Sequence, residues 1–182
     1  MKGVVFTEFM EMMDSRFGPE LTERVLEAAH LPSGGIYTAV GTYDHTELLA
    51  LVEQLSLAVG LPATTLVREF GHYLFGRFVK SYPRFFQDVH SAFDFIEQVD
   101  NHVHVEVLKL YPGAELPSFR SERPDDRRML FDYRSSRPLA DLAEGLIAGC
   151  VDHYGERVRI ERMPLAADGG GTAVRFQLTR MD

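Results

Sequence analysis

SAFDFIEQVDNHVHVEVLK, residues 91–109, admits two secondary structures, and the choice between them decides the fold. Val103, Val105 and Val107 alternate at period two, the pattern of a half-buried strand, whereas Ile96, Val99, Val103 and Val107 keep helical spacing over a longer window. The longer window favours a helix from Ser91 to about Lys109. The choice governs the two histidines at 102 and 104. On a strand both imidazoles share a face and can chelate a metal. On a helix, residues two apart diverge by about 200°, so only one points at a given ligand. The helical reading leaves a single histidine among apolar neighbours.

Upstream of this stretch every periodic segment reads as a helix. Val5, Phe9 and Met13 recur at i, i+4, i+8 within residues 4–17. Gly18-Pro19 breaks that helix, and Pro19 suits the first turn of a second one with Leu21, Val25 and Ala29 inward. Leu31-Pro32-Ser33-Gly34-Gly35 is a loop. Asp44 or Thr46 caps a third helix carrying Leu48, Leu51, Val52, Leu55 and Val59, which Gly60 stops. Pro62 opens a fourth through Leu66, Phe70, Leu74 and Val79, with Gly71 and Gly76 inside it at a cost of about 1 kcal/mol each relative to Ala.

Downstream of Tyr111-Pro112-Gly113 the texture changes. Residues 119–134 read as a β-hairpin around the polar turn Arg123-Pro124-Asp125-Asp126, and residues 138–151 as a helix with Leu139, Leu142, Leu146 and Ile147 apolar. Val158 and Ile160 alternate with arginine. A turn at Asp168-Gly169-Gly170-Gly171 then leads to Val174, Phe176 and Leu178 at strict period two. The expected class is α+β, helices first and then an antiparallel sheet holding one helix, packed as a single unit.

Composition excludes several functions. Nineteen Lys and Arg against 27 Asp and Glu give a net charge of −8, which repels phosphate backbones. Arg120, Arg123, Arg127 and Arg128 are interspersed with acids and read as surface, so nucleic acid is not an expected partner. Cys150 is the only cysteine, which rules out an internal disulfide and a cysteine-rich zinc site. The N-terminus turns polar at Thr7-Glu8, too soon for a signal-peptide core, and no apolar run of about 18 residues exists to span a bilayer. The expected location is the cytoplasm, with no membrane partner. Thirteen Phe, seven Tyr and seven Met with no Trp describe either a Phe-rich core or a core with a cavity for a flat apolar ligand.

Two constellations bear on chemistry. A lone imidazole in an apolar pocket is either a hydrogen-bonded core side chain or an axial ligand to haem iron. In the extended stretch Tyr133-Arg134-Ser135-Ser136-Arg137, residues 133, 135 and 137 fall on one face. Three converging donors, one a guanidinium fork, suit paired carboxylates or a phosphate, as an alternative to an ordinary strand end with a solvated arginine. Cys150-Val151-Asp152-His153 reads as a helix end with a buried thiol in preference to a mixed metal site. No nucleophile elbow, phosphate loop or metalloprotease motif is present.

His104, followed by Tyr111-Pro112, then Pro117 and, after the hairpin, Tyr133-x-Ser135-x-Arg137, resembles the H-NOX family, haem domains related to that of soluble guanylate cyclase. The opening Met1-Lys2-Gly3 and the order of helices before sheet also match, so the resemblance spans essentially the whole chain. It implies one domain over residues 1–182, with a helical subdomain at 1–62 and a haem-ligating helix and sheet at 63–182, haem b (protoporphyrin IX iron) lying between them. By position, His104 corresponds to the proximal ligand, Tyr133, Ser135 and Arg137 to the propionate-binding residues, and Pro117 to a proline that presses on the porphyrin. His102 falls outside that correspondence.

Members that bind oxygen place a tyrosine on the distal helix. Here that position aligns with Leu142 and a second distal position with Leu74, and Val5 and Phe9 complete an apolar pocket. The resemblance thus implies a non-catalytic sensor of nitric oxide, able to bind carbon monoxide and discriminating against oxygen. Because the last expected strand ends close to Asp182, the expected effector is a separate protein, a histidine kinase or a cyclic-di-nucleotide signalling enzyme. The alternatives are a non-haem module for a flat apolar ligand, or a haem enzyme, which would require a polar distal residue; His72 is two positions from Leu74.

Overall fold

The structure, a computed structural model, describes residues 1–166 and 171–182. The four expected helices come first: α1 (Gly3–Phe17), α2 (Pro19–Ala29), α3 (His45–Val59) and α4 (Ala63–Ser81). Gly18, at φ 88°, makes the break, and Pro19 opens α2 where its missing N–H would have no partner. Of the two cap candidates Asp44 serves: its carboxylate accepts from the Thr46 N–H at 2.9 Å and supplies an acceptor to an otherwise orphaned donor. Phe6, Phe9 and Met13 of α1 pack with Leu51 and Leu55 of α3 and Phe70 of α4 in one apolar cluster.

A 3₁₀ turn (Pro83–Phe86) precedes an unbroken helical run made of α5 (Ala92–Gln98), a π-helical turn (Val99–Val103) and α6 (His104–Leu110). The helical reading of residues 91–109 therefore stands, and the strand is excluded. The π-helical turn was not expected. Its hydrogen bonds span i to i+5, so residues four and five apart share a face and both Val103 and His104 accompany Val99. On an ideal α-helix Val99 and His104, five residues apart, would diverge by about 140°.

The sheet has the order β1-β2-β4-β3, with every neighbour antiparallel: β1 (Ser118–Asp125), β2 (Arg128–Ser135), β3 (Val158–Pro164) and β4 (Thr172–Arg180). The hairpin joins β1 to β2 as expected. The turn expected at Asp168-Gly169-Gly170 lies outside the described residues. One face, with Phe131, Tyr133, Phe176 and Leu178, packs under Ile147 and Cys150 of α7 (Ala140–His153). On β2 the alternation puts Asp132 on the opposite face, where it meets Arg175 of β4 directly across the ladder.

Helices α4 and α7 cross at Gly71 and Gly145, where a Cβ built on either glycine would lie 2.9 Å from the other's Cα. Gly71 thus admits a close neighbour. Gly76 does not, since a Cβ there meets nothing within 4 Å. Helix α4 also joins the two cores, giving Phe70 and Leu74 to the helical cluster and Phe75 to the sheet cluster. Arg123 departs from its surface reading. It is half-buried, with its guanidinium 5.6 Å from the Phe93 ring centroid and 2.9 Å from Asp94, and so ties β1 to α5. Among the described residues no single helix is long and apolar enough to cross a membrane.

Candidate cofactor site

A cavity of about 470 Å³ lies between the helical cluster and the sheet, within the roughly 300–1,000 Å³ range of small-molecule and cofactor sites. Its walls come from the start of α1, from α4, from the helical run 99–107, from α7 and from the buried face of β1 and β2. They are almost wholly apolar, with Phe75, Phe78, Phe119 and Phe131 supplying flat surface. Part of the aromatic excess in the composition therefore lines a cavity.

One imidazole reaches this cavity. His104, the first residue of α6, lies on its wall, with its ring 5.2 Å from Phe119 and its side chain 15% exposed. Its Nδ1 is 3.4 Å from Oδ1 of Asp100, four residues earlier. Burial pushes the imidazole pKa down, and the Asp100 carboxylate opposes that shift only in part. Burial therefore favours the neutral ring, the state that leaves a nitrogen lone pair free to bind a metal. His102 is exposed and rests edge-on against Phe85 at 5.9 Å, away from the cavity wall.

Tyr133, Ser135 and Arg137 share the inward face, while Arg134 and Ser136 between them are exposed. Tyr133 is 4% exposed, and burial raises its phenol pKa. The Ser135 hydroxyl accepts from the Arg137 backbone N–H at 3.1 Å. The Arg137 guanidinium is held by Glu115 of the loop 111–117, which also carries Pro117 to the cavity wall. Two hydroxyls and a guanidinium thus stand on one side of an otherwise greasy slot. That donor set fits a flat apolar molecule bearing acidic groups, and the lone neutral imidazole fits a metal within it. Both properties belong to haem.

Val5, Leu74, Leu142 and Pro117 lie on the cavity wall. Phe9 does not. It is fully buried in the helical cluster, edge-on to Phe70 at 4.9 Å, because that ring fills the α1–α4 contact. His72 faces outward, with Nε2 2.7 Å from Asp152. Cys150 is buried on the cavity wall, where desolvation pushes its thiol pKa up. Among the described residues no three His, Cys, Asp or Glu side chains are grouped to hold a metal ion, so the run Cys150–His153 forms no such site. Reading the sequence missed Phe119, Glu115 and Asp100. Only the helical spacing of Val99, Val103 and Val107 hinted that this face turned toward a cavity.

The whole chain superposes on an H-NOX protein from K. algicida solved in the unliganded Fe(II) state, with a TM-score of 0.91, 30% identity and coverage of 100% of this chain and 97% of that one. It is similar to the H-NOX from Shewanella woodyi, solved with IWP-051 bound in the Fe(II)CO ligation state, with a TM-score of 0.84, 44% identity and coverage of 100% and 95%. An H-NOX protein from S. oneidensis in the Fe(II)NO ligation state shares the fold at 22% identity and a TM-score of 0.89, with both chains covered completely. No protein among the curated sequences matches this chain. The family model for haem-NO-binding domains matches residues 2–162. With that match over most of its length, the chain belongs to the haem-NO-binding, or H-NOX, family.

Proposed function

We propose that this chain is a haem b sensor, without catalytic activity of its own, that binds nitric oxide and carbon monoxide at ferrous iron and discriminates against oxygen. The observation that carries the reading is a single imidazole, His104, on an apolar cavity that also presents Tyr133, Ser135 and Arg137. His104 holds the iron, those three residues hold the propionates, and Pro117 bears on the porphyrin. Ferrous haem, when bound, supplies a metal atom that a diatomic gas can occupy. Relatives solved in the Fe(II)CO and Fe(II)NO ligation states support the ligand class.

Selectivity lies with this chain's own side chains. Val5, Leu74 and Leu142 line the cavity and carry no hydrogen-bond donor. Oxygen gathers negative charge when it binds and needs a donor to stay, and a polar group left unpaired in a dry pocket costs about 1–3 kcal/mol. Nitric oxide has no such requirement. His104 in turn sits where the π-helical turn meets α6, so its attachment or release biases the position of a whole helical segment. A difference in contacts between the two ligand states is what a population shift requires. The expected readers are a separate histidine kinase or a cyclic-di-nucleotide enzyme in the cytoplasm.

Reduced, haem-loaded protein tests the reading through its Soret band. Nitric oxide is expected to give the spectrum of an iron that has lost its histidine, and air is expected to give no persistent oxygen complex. A stable oxygen complex overturns the selectivity argument, and a histidine bond that survives nitric oxide overturns the shift of the helical segment. His104→Gly is expected to lose haem unless imidazole is supplied, while His102→Gly keeps it. Colourless protein that refuses hemin favours a module for a flat apolar ligand without iron.

A further inference from the structure

We propose that Asp100 is a positioning residue for His104: its carboxylate takes the Nδ1–H of the imidazole, leaves Nε2 as the nitrogen that binds iron, and strengthens that bond. The inference rests on the haem reading above and adds a residue that neither the sequence pattern nor the family resemblance supplied.

The geometry behind it has three parts. First, Oδ1 of Asp100 is 3.4 Å from Nδ1 of His104, longer than a full hydrogen bond but within reach of one that tightens when a ligand completes the site. Second, Asp100 lies inside the π-helical turn Val99–Val103, where residues four and five ahead share a face; the turn that brings His104 to the cavity is thus the one that sets Asp100 against its back. Third, the Phe119 ring packs at 5.2 Å and 31° to the imidazole, so aromatic contact and carboxylate together limit its rotation.

The chemical consequence follows from the two nitrogens of the ring. A neutral imidazole carries one proton, and an acceptor at Nδ1 places it there. Partial withdrawal of that proton by a carboxylate raises electron donation through Nε2, which favours the ferric over the ferrous ion and stiffens the metal–histidine bond. The Asp100 side chain is 39% exposed, so water moderates the effect and substitution there leaves the core packing intact.

The test uses the haem-loaded chain and its Asp100→Asn and Asp100→Ala variants. Resonance Raman of the unliganded ferrous protein is expected to show the iron–histidine stretch falling from Asp to Asn to Ala. The reduction potential should rise in the same order, and Asp100→Ala should lose haem to apomyoglobin about tenfold faster, the low end for loss of such a partner. Asp100→Glu, which retains the carboxylate, should recover most of the stretching frequency. A residue with a merely structural role would move neither the frequency nor the potential, so variants that match the parent in both overturn the inference. A parent chain with no iron–histidine band overturns the haem reading, and the inference with it.

Discussion

Arg137 gives both of its terminal nitrogens to Glu115: Nη1 donates to the backbone carbonyl at 3.1 Å and Nη2 to the carboxylate Oε2 at 2.8 Å. The other carboxylate oxygen of Glu115 accepts from the Ser136 hydroxyl at 2.5 Å. One glutamate therefore fastens the loop carrying Pro117 to the end of β2. The Arg137 side chain is 14% exposed while the Glu115 side chain is 63% exposed, so the glutamate holds Arg137 from the solvent side.

Arg137→Ala is accordingly expected to speed haem transfer to apomyoglobin about 10- to 100-fold, the equivalent of the roughly 1.5–3 kcal/mol of a hydrogen bond to a charged group. Arg137→Lys should recover part of the loss, since a point charge remains but the planar fork is gone. Glu115→Ala should have a smaller effect, because it loosens Arg137 without removing its charge. An Arg137→Ala protein that holds haem as long as the parent would place the acidic groups of the ligand elsewhere.

Leu142 decides the oxygen argument. It lies on the cavity wall with its side chain partly buried, and Leu142→Tyr puts a phenol donor where none exists. The expected outcome is an oxygen complex that persists in air, read from visible spectra and from a slower oxygen dissociation rate, with nitric oxide binding retained. Failure of the phenol to hold oxygen would show that the gas binds out of reach of this wall.

Much of this site was legible because its signals are periodic and local. Tyr133, Ser135 and Arg137 share a face by period two, and one histidine among apolar residues stands out on a helix. Other features depend on pairings that no local pattern encodes. A π-helical turn differs from an α-helical one by a single backbone register, so nothing in Val99–Val103 announces it. Phe9 keeps the helical spacing of Val5, yet which ring meets the cavity depends on where Phe70 of α4 sits. Arg123 looked solvated because its partner, Asp94, is 29 residues away in the chain.

The two glycines of α4 are expected to respond with opposite signs. At Gly71 a methyl group would meet the Leu142 carbonyl and lie 2.9 Å from Cα of Gly145, so Gly71→Ala forces α4 and α7 apart at a cost of about 1–3 kcal/mol. At Gly76 the space is open, and Gly76→Ala should stabilise by about 0.4–1 kcal/mol through helix propensity and a stiffer unfolded chain. Urea unfolding of both variants without cofactor reads the difference. Equal effects would remove the close crossing from the account of the fold.

Asp132 and Arg175 supply a pH dependence separate from the cavity. They face each other across β2 and β4 as a fork, Nε donating to Oδ1 at 2.6 Å and Nη2 to Oδ2 at 2.9 Å. Hydrogen bonding to Arg175 holds the Asp132 carboxyl below its ordinary value of 3.8. A carboxyl depressed in the folded state binds protons more readily in the unfolded one, so its stabilisation is fully present above the unfolded pKa and disappears as pH falls through the lower folded value. Asp132→Asn should therefore cost up to about 1 kcal/mol at pH 7, the upper range for an opposite-charge cross-strand pair, and the gap from the parent should narrow as pH is lowered from 5 to 3. Urea midpoints at several pH values give the comparison. A gap that stays constant over this range would show that the pair acts through packing and not through charge.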